Sequence, residues 1–211
     1  MQYSSVMVDS GGVGLRERKK QRTRRALIEA ALRLFDEKGF DETTLAEIAA
    51  EADVSTRTFF SYFASKEDVV FYDSARKMEL AIASLADRAP GESPGDVLLR
   101  IVEDSLTWLT TYEELAFEDA ELRMRLVLKE PTLQARALVM LLESQTGLAR
   151  ALREAYPELD PVEAAAAVGA MFGAVKLAVV AVLGHDLSAE QLLSTARRAA
   201  EITLTGLRSL G

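Results

Sequence analysis

Apolar positions in this chain recur at intervals of three and four almost from end to end, the spacing of one face of an α-helix. Strand-like alternation and Asn-Gly or Asp-Gly hairpin turns are absent. The five prolines (Pro90, Pro94, Pro131, Pro157, Pro161) fall where one periodic segment ends and another begins. Leu27, Ile28, Ala31, Leu34 and Phe35 share a face of a first helix over about 15–38, and Gly39 is its natural stop. Thr44 with Glu47 has capping-box spacing and predicts a second helix over about 45–52. Ser55 caps a third over 56–63. Ser65 with Asp68 repeats the capping box and opens a fourth helix reaching about Asp87. Residues 89–95 form a loop, and later helices are expected over about 96–112, 114–128, 131–155, 161–183 and 188–210. The predicted fold class is therefore all-α, with about nine helices. No fixed-period repeat and no low-complexity tract is present.

The second and third helices, joined by Ala52-Asp53-Val54, have the requirements of a helix-turn-helix. A small residue at the crossing (Ala49) lets the helices approach. Leu45, Ile48, Val54, Phe59 and Phe63 can fill the space between them. Thr56, Arg57, Phe60 and Ser61 give the third helix a polar outer face of the kind that enters a DNA major groove. An ordinary αα-hairpin would satisfy the same apolar spacing.

Charge changes the picture in two steps. The 211 residues carry a formal net charge of −8 and no cysteine, with His185 the single histidine. Disulfide scaffolds, thiol catalysis and multi-histidine metal sites are thereby excluded, and an acidic chain argues against nucleic acid. The distribution reverses that inference. Residues 15–25 hold seven positive side chains and only Glu17 against them, whereas residues beyond 66 hold 14 basic and 23 acidic ones. A short basic cluster entering a helix can neutralise DNA phosphates; it can also be a solvated tail. Residues 1–14 lack the charged start and apolar core of a signal peptide and are expected to be a flexible lead-in. Residues 164–184 carry one charge, Lys176. Their Val, Leu and Phe residues contribute about −3.6 kcal/mol towards insertion and the central lysine costs about +3. A buried helix of a cytoplasmic protein is expected rather than a membrane span.

Residues 19–71 resemble the N-terminal domain of the tetracycline-repressor (TetR) family of bacterial transcription regulators. The matching stretches are RTRRALIEAALRLFDEKGFDETTLAEIAAEADVS and TRTFFSYFASKEDVVF. With the flexible tail over 1–14 set apart, the resemblance implies a helix-turn-helix DNA-binding domain over 15–64 and a larger ligand-binding and dimerisation domain over 65–211. It implies phosphate contacts at Thr44, Thr58, Ser61, Tyr62 and Lys66, which set register without reading sequence. Thr56, Arg57 and Phe60 fall where the family faces base edges, and Arg57 can bond a guanine with two hydrogen bonds. Arg22, Arg24 and Arg25 are candidates for the backbone or a minor groove. Asp53 stands where the family usually has Gly, and Phe60 where it usually has Tyr. Asp tolerates left-handed backbone better than most residues, so the turn can survive.

The remaining sequence is read more coarsely. Ala165, Gly169 and Gly173 recur every four residues beside Val168, Phe172, Val175, Val179 and Val182. That stripe suits close helix packing, either inside the subunit or, as the family arrangement implies, across a dimer interface that includes Phe172 and Val179. A ligand-responsive regulator needs a pocket; Trp108, Tyr112, Phe117, Met124, Met140 and Phe172 are candidate lining residues, or simply core. Residues 123–136 loosely resemble the subgroup that includes the mycofactocin-associated regulator, so Arg123, Arg125 and Arg136 are candidates for the phosphates of an acyl-CoA, or for solvated surface. His185 in Gly-His-Asp is expected to be a loop residue. No nucleophile–base pair, metal cluster or phosphate-binding glycine loop is present, so no enzyme and no cofactor is expected. The expected function is a repressor that binds a palindromic, double-stranded operator as a homodimer and is released by a small-molecule effector, hydrophobic or acyl-CoA-like. The alternative is a helical interaction module that keeps the fold without binding DNA.

Overall fold

The structure, a computed structural model, describes residues 14–111, 117–182 and 189–207. These residues form ten helices and no strand: α1 Leu15–Lys38, α2 Leu45–Glu51, α3 Thr56–Phe60, α4 Lys66–Val70, α5 Ser74–Ala86, α6 Pro94–Thr111, α7 Phe117–Lys129, α8 Pro131–Ala155, α9 Pro161–Val182 and α10 Ala189–Leu207. Residues 1–13 and His185 lie outside the described residues. Two compact units divide between Val70 and Phe71, six residues beyond the boundary expected after residue 64. The reason is the apolar pair Val69 and Val70, which is fully buried and fastens α4 to α1.

In the first unit, α1 places Leu27, Ile28, Ala31, Leu32 and Phe35 against Phe40, Ile48, Ala49, Phe59 and Phe63. Full burial of each large side chain is worth about 1.5–3 kcal/mol. Leu34, expected on this face, is only half-buried, and Leu32 takes its place. The chain leaves α1 through Gly39 at φ +95°, whose N–H still bonds the Phe35 carbonyl at 3.1 Å.

The predicted fourth helix is two helices. The continuous periodicity of 65–87 is interrupted at 71–73, where Asp73 becomes the residue preceding α5 and turns its carboxylate into the second unit. That unit is a helical bundle. α9 packs against α10, α8 and α6, while α5 bridges α6 and α8, and α7 lies on α8. Its core joins Leu85, Val97, Leu98, Ile101, Leu148, Leu152, Val168, Met171 and Leu204. Caps mark the helix starts. Ser93 Oγ accepts the Asp96 N–H at 3.2 Å, and Asp160 Oδ1 accepts the N–H groups of Val162 and Glu163 at 2.7 and 2.8 Å. Tyr156 closes the loop before α6, donating its hydroxyl to the Glu92 carbonyl at 2.9 Å.

Burial of α9 differs from the expectation of a core helix. Ala164, Ala167, Val168 and Met171 are buried, but Val162 is 74% and Leu177 72% exposed. By length and hydropathy this helix could cross a membrane, and 17% of its apolar window is buried. It covers the core with one stripe and shows exposed apolar side chains, Val162 and Leu177, outwards.

Candidate nucleic-acid interface

The geometry of the first unit is set at the turn between α2 and α3. Ala49 is 1% exposed, so the two helices meet where the sequence places its small residue. Ile48, Phe59 and Phe63 are buried between them, and Leu45 and Val54 are half-buried. Asp53 adopts φ +54°, left-handed backbone. Its N–H bonds the Ala50 carbonyl at 3.1 Å, and the Val54 N–H reaches Ala49 at 2.9 Å. Asp thus performs the turn that Gly usually makes, because its short polar side chain is among the few that tolerate this region.

The third helix starts at its predicted cap, with Ser55 Oγ accepting the Thr58 N–H at 3.1 Å. It ends at Phe60, three residues before the expected Phe63. Ser61 Oγ donates to the Thr58 carbonyl at 2.6 Å, and the Ser61 and Tyr62 N–H groups make tight bonds to Thr58 and Phe59. A hydroxyl competing for the backbone favours this tightening. Thr56, Arg57 and Phe60 remain on the exposed side, with Phe60 56% exposed. The edge of its ring meets Phe59 at 5.8 Å between centroids, which fixes the exposed ring on the buried one.

The expected phosphate contacts have more local engagements than the sequence suggests. Thr44 Oγ1 donates to Glu47 Oε2 at 2.6 Å and accepts the Glu47 N–H at 3.3 Å, completing the capping box. Hydrogen bonds from Lys38, then from the Thr44 hydroxyl and N–H, hold the Glu47 carboxyl down to about 2. Thr58 Oγ1 lies 2.9 Å from Ser55 Oγ. Tyr62 is half-buried and Ser61 exposed. The Arg24 guanidinium stacks over the Phe63 ring at 5.4 Å, and Arg25 lies 3.9 Å from Glu29. Arg22 is exposed. Lys66 departs furthest from expectation. Its ammonium donates to the carbonyls of Phe40, Asp41 and Thr43 at 2.7, 3.3 and 3.2 Å.

In the second unit the candidates are less convergent. Met124 and Met140 are half-buried on α7 and α8, while Phe172 packs on the core. Tyr112 and the side chains of Trp108 and Phe117 lie outside the described residues. Arg125 bonds Glu121 at 2.7 Å and Arg136 is exposed. Arg123, a candidate for solvated surface or for CoA phosphates, is neither in this structure. It is buried, grips Asp73 and stacks over the Tyr72 ring at 4.6 Å. Sequence reasoning missed Asp73, whose signal is a lone carboxylate at the end of the apolar run Val69-Val70-Phe71-Tyr72. Burial works to raise its pKa, but the charges of Lys77 and Arg123 and their hydrogen bonds outweigh it and hold the carboxyl below its ordinary value. Among the described residues no group of three acidic or histidine side chains could hold a metal ion.

Residues 27–72 match the model of bacterial regulatory proteins of the tetR family. The regulator TcmR of Streptomyces glaucescens is 46% identical over 83 residues, 39% of this chain and 37% of TcmR. The mycofactocin biosynthesis transcriptional regulator MftR of Mycobacterium tuberculosis is 28% identical over 123 residues, 58% of this chain and 60% of MftR. This chain thus spans less than two thirds of the length of these relatives. The fold is similar to that of FadR from Thermus thermophilus, a TetR-family repressor solved with lauroyl-CoA. That match has TM-score 0.53 and 23% identity, covering 87% of this chain and 92% of FadR.

Proposed function

We propose that this chain, a member of the TetR family of bacterial transcription regulators, is a homodimeric repressor that binds a palindromic operator and is released by a small-molecule effector. The observation that carries the DNA-binding half is the exposed face of α3, where Thr56, Arg57 and Phe60 project from a turn fixed by Asp53 and a fully buried Phe59. Arg57 reads a base, Thr56 and Phe60 contact neighbouring base edges, and Arg22, Arg24, Arg25, Thr44, Thr58, Ser61 and Tyr62 meet the backbone. A fluorescence-anisotropy titration with the DNA upstream of the chain's own gene tests this. Tight binding that weakens steeply with salt and prefers one sequence is expected; equal affinity for unrelated duplexes would refute it.

Dimerisation through α9 and α10 is supported by small residues that packing within the subunit does not require. A Cβ added at Gly169 or Gly173 would meet no atom within 4 Å, although glycine weakens a helix interior by about 0.5–1 kcal/mol. Leu177 on α9 and Ile202 on α10 are exposed at 72% and 66%. A second copy covering this face explains both features, and explains an apolar helix in a cytoplasmic protein. The half-site geometry of helix-turn-helix proteins requires the same two-fold arrangement.

The effector is assigned to the second unit, with Met124, Met140 and Phe172 as its candidate lining among the described residues; Tyr112 and the side chains of Trp108 and Phe117 are candidates outside them. An acyl-CoA or another long apolar molecule is favoured by the likeness in fold to FadR, which was solved with lauroyl-CoA. Arg125 and Arg136, both exposed, are the candidates for its phosphates, whereas Arg123 is buried against Asp73. Isothermal titration with lauroyl-CoA, followed by its effect on operator binding, checks this directly.

A further inference from the structure

We infer that Lys66 is a positioning residue for the helix-turn-helix, a clamp on the loop between α1 and α2, and not one of the phosphate contacts. The inference rests on the DNA-binding reading above and changes the part this residue plays in it. Lys66 is the first residue of α4, and its ammonium has three N–H donors and no acceptor. The three carbonyls it meets, those of Phe40, Asp41 and Thr43, lie 23 to 26 residues earlier in the chain. Its whole donor capacity is therefore directed into the protein. The cation also sits 4.3 Å from the centroid of the Phe40 ring, which is itself 1% exposed.

The same loop has a second fastener. Thr43 is 1% exposed, and its hydroxyl donates to the Gly39 carbonyl at 2.8 Å, with Leu34 at 3.2 Å. Lys66 and Thr43 together fix five residues that lead directly into α2, on which α3 rests. A phosphate could accept a hydrogen bond from Lys66 only in place of one of these carbonyls. That carbonyl would then lose a charge-assisted hydrogen bond, the stronger kind. The consequence of Lys66 for DNA is indirect, through the orientation of α2 and α3.

Two variants separate the roles. Lys66→Met removes donors and charge; Lys66→Gln removes the charge but keeps an N–H₂ group that can bond the carbonyls. Operator affinity is measured across a series of KCl concentrations, at a temperature where circular dichroism shows all forms folded. Lys66→Met is expected to lose about tenfold in Kd, roughly one hydrogen bond's worth, with the wild-type salt slope. Lys66→Gln is expected to recover most of that loss although it is uncharged, which general destabilisation would not produce. A salt slope lower by about 0.9 per reading head in both variants is the signature of a lost phosphate contact and would overturn the inference. So would wild-type affinity in Lys66→Met. Hydrogen exchange of the amides at 40–44, measured without DNA, supplies a separate arm. Faster exchange in Lys66→Met supports the clamp and unchanged exchange refutes it. If the wild-type protein binds no DNA, the DNA-binding reading fails and this arm alone decides whether the clamp exists.

Discussion

The guanidinium of Arg123 on α7 holds the carboxylate of Asp73 with two prongs, Nη1 to Oδ1 at 3.0 Å and Nη2 to Oδ2 at 3.2 Å. Both side chains are more than nine-tenths buried. Lys77, one turn further along α5, adds a third charge at 2.7 Å from Oδ2. The pair joins residues fifty positions apart and ties the first turn of the second unit to α7. Removing Arg123 leaves the buried carboxylate with the Lys77 contact but without its two-pronged partner. Arg123→Met is therefore expected to destabilise this unit by about 1–3 kcal/mol, and Arg123→Lys to restore little, since a point charge cannot make the two-pronged contact. Urea unfolding followed by the emission of Trp108, the single tryptophan, measures both.

The same carboxylate predicts a pH dependence. Its pKa in the folded protein lies below the ordinary 3.8, because Lys77 and Arg123 outweigh the effect of burial. A depressed carboxylate contributes stability that is full above 3.8 and is lost as pH falls through the folded value. The wild type should therefore lose stability on acidification below 3.8. Asp73→Asn, less stable at neutral pH, should lose correspondingly less over that range. Parallel curves for the two proteins would contradict the assignment.

At the turn, Asp53 at φ +54° tolerates a conformation that few side chains adopt. Asp53→Gly should fold normally and change the stability of the first unit by no more than about 1 kcal/mol. Asp53→Val should cost more, because a β-branched residue is a true outlier there. Thermal unfolding of the two variants provides the comparison.

Arg57 is exposed at the second position of α3, clear of the buried Phe59. Arg57→Ala should leave the fold intact and remove about 1–3 kcal/mol of discrimination at one operator base pair. Competition titrations with single-base operator variants would reveal it. A uniform loss across every sequence would instead make Arg57 a backbone contact.

A side chain added at Gly169 or Gly173 meets open space within one copy of the chain, so the proposed dimer face can be blocked without disturbing the fold. Gly169→Leu should leave helix content unchanged and should shift the protein from dimer to monomer in sedimentation velocity. An unaltered dimer would move the interface elsewhere.

Much of this protein was legible because helices are local. The period of the apolar residues located α1, α8 and α9 to within a residue, and the Thr44–Glu47 capping box placed the start of α2 where the structure has it. The contrasts arise where partners are remote. No periodicity could show that Asp73 interrupts the long fourth helix, because its reason is an arginine fifty residues away. The early end of α3 reflects a hydroxyl competing for a carbonyl, a choice between two local bonds that propensity leaves open.

The sequence by itself determined the all-helical class, the turn at Asp53 and the polar outer face of α3, since each depends on residues within a few positions of one another. Tertiary structure alone decided the use of the charged side chains. Lys66 and Arg123 look from the sequence like cations offered to a phosphate, and both are turned inwards by acceptors far along the chain. A charge goes where its desolvation is best compensated, and only the folded chain determines where those acceptors stand.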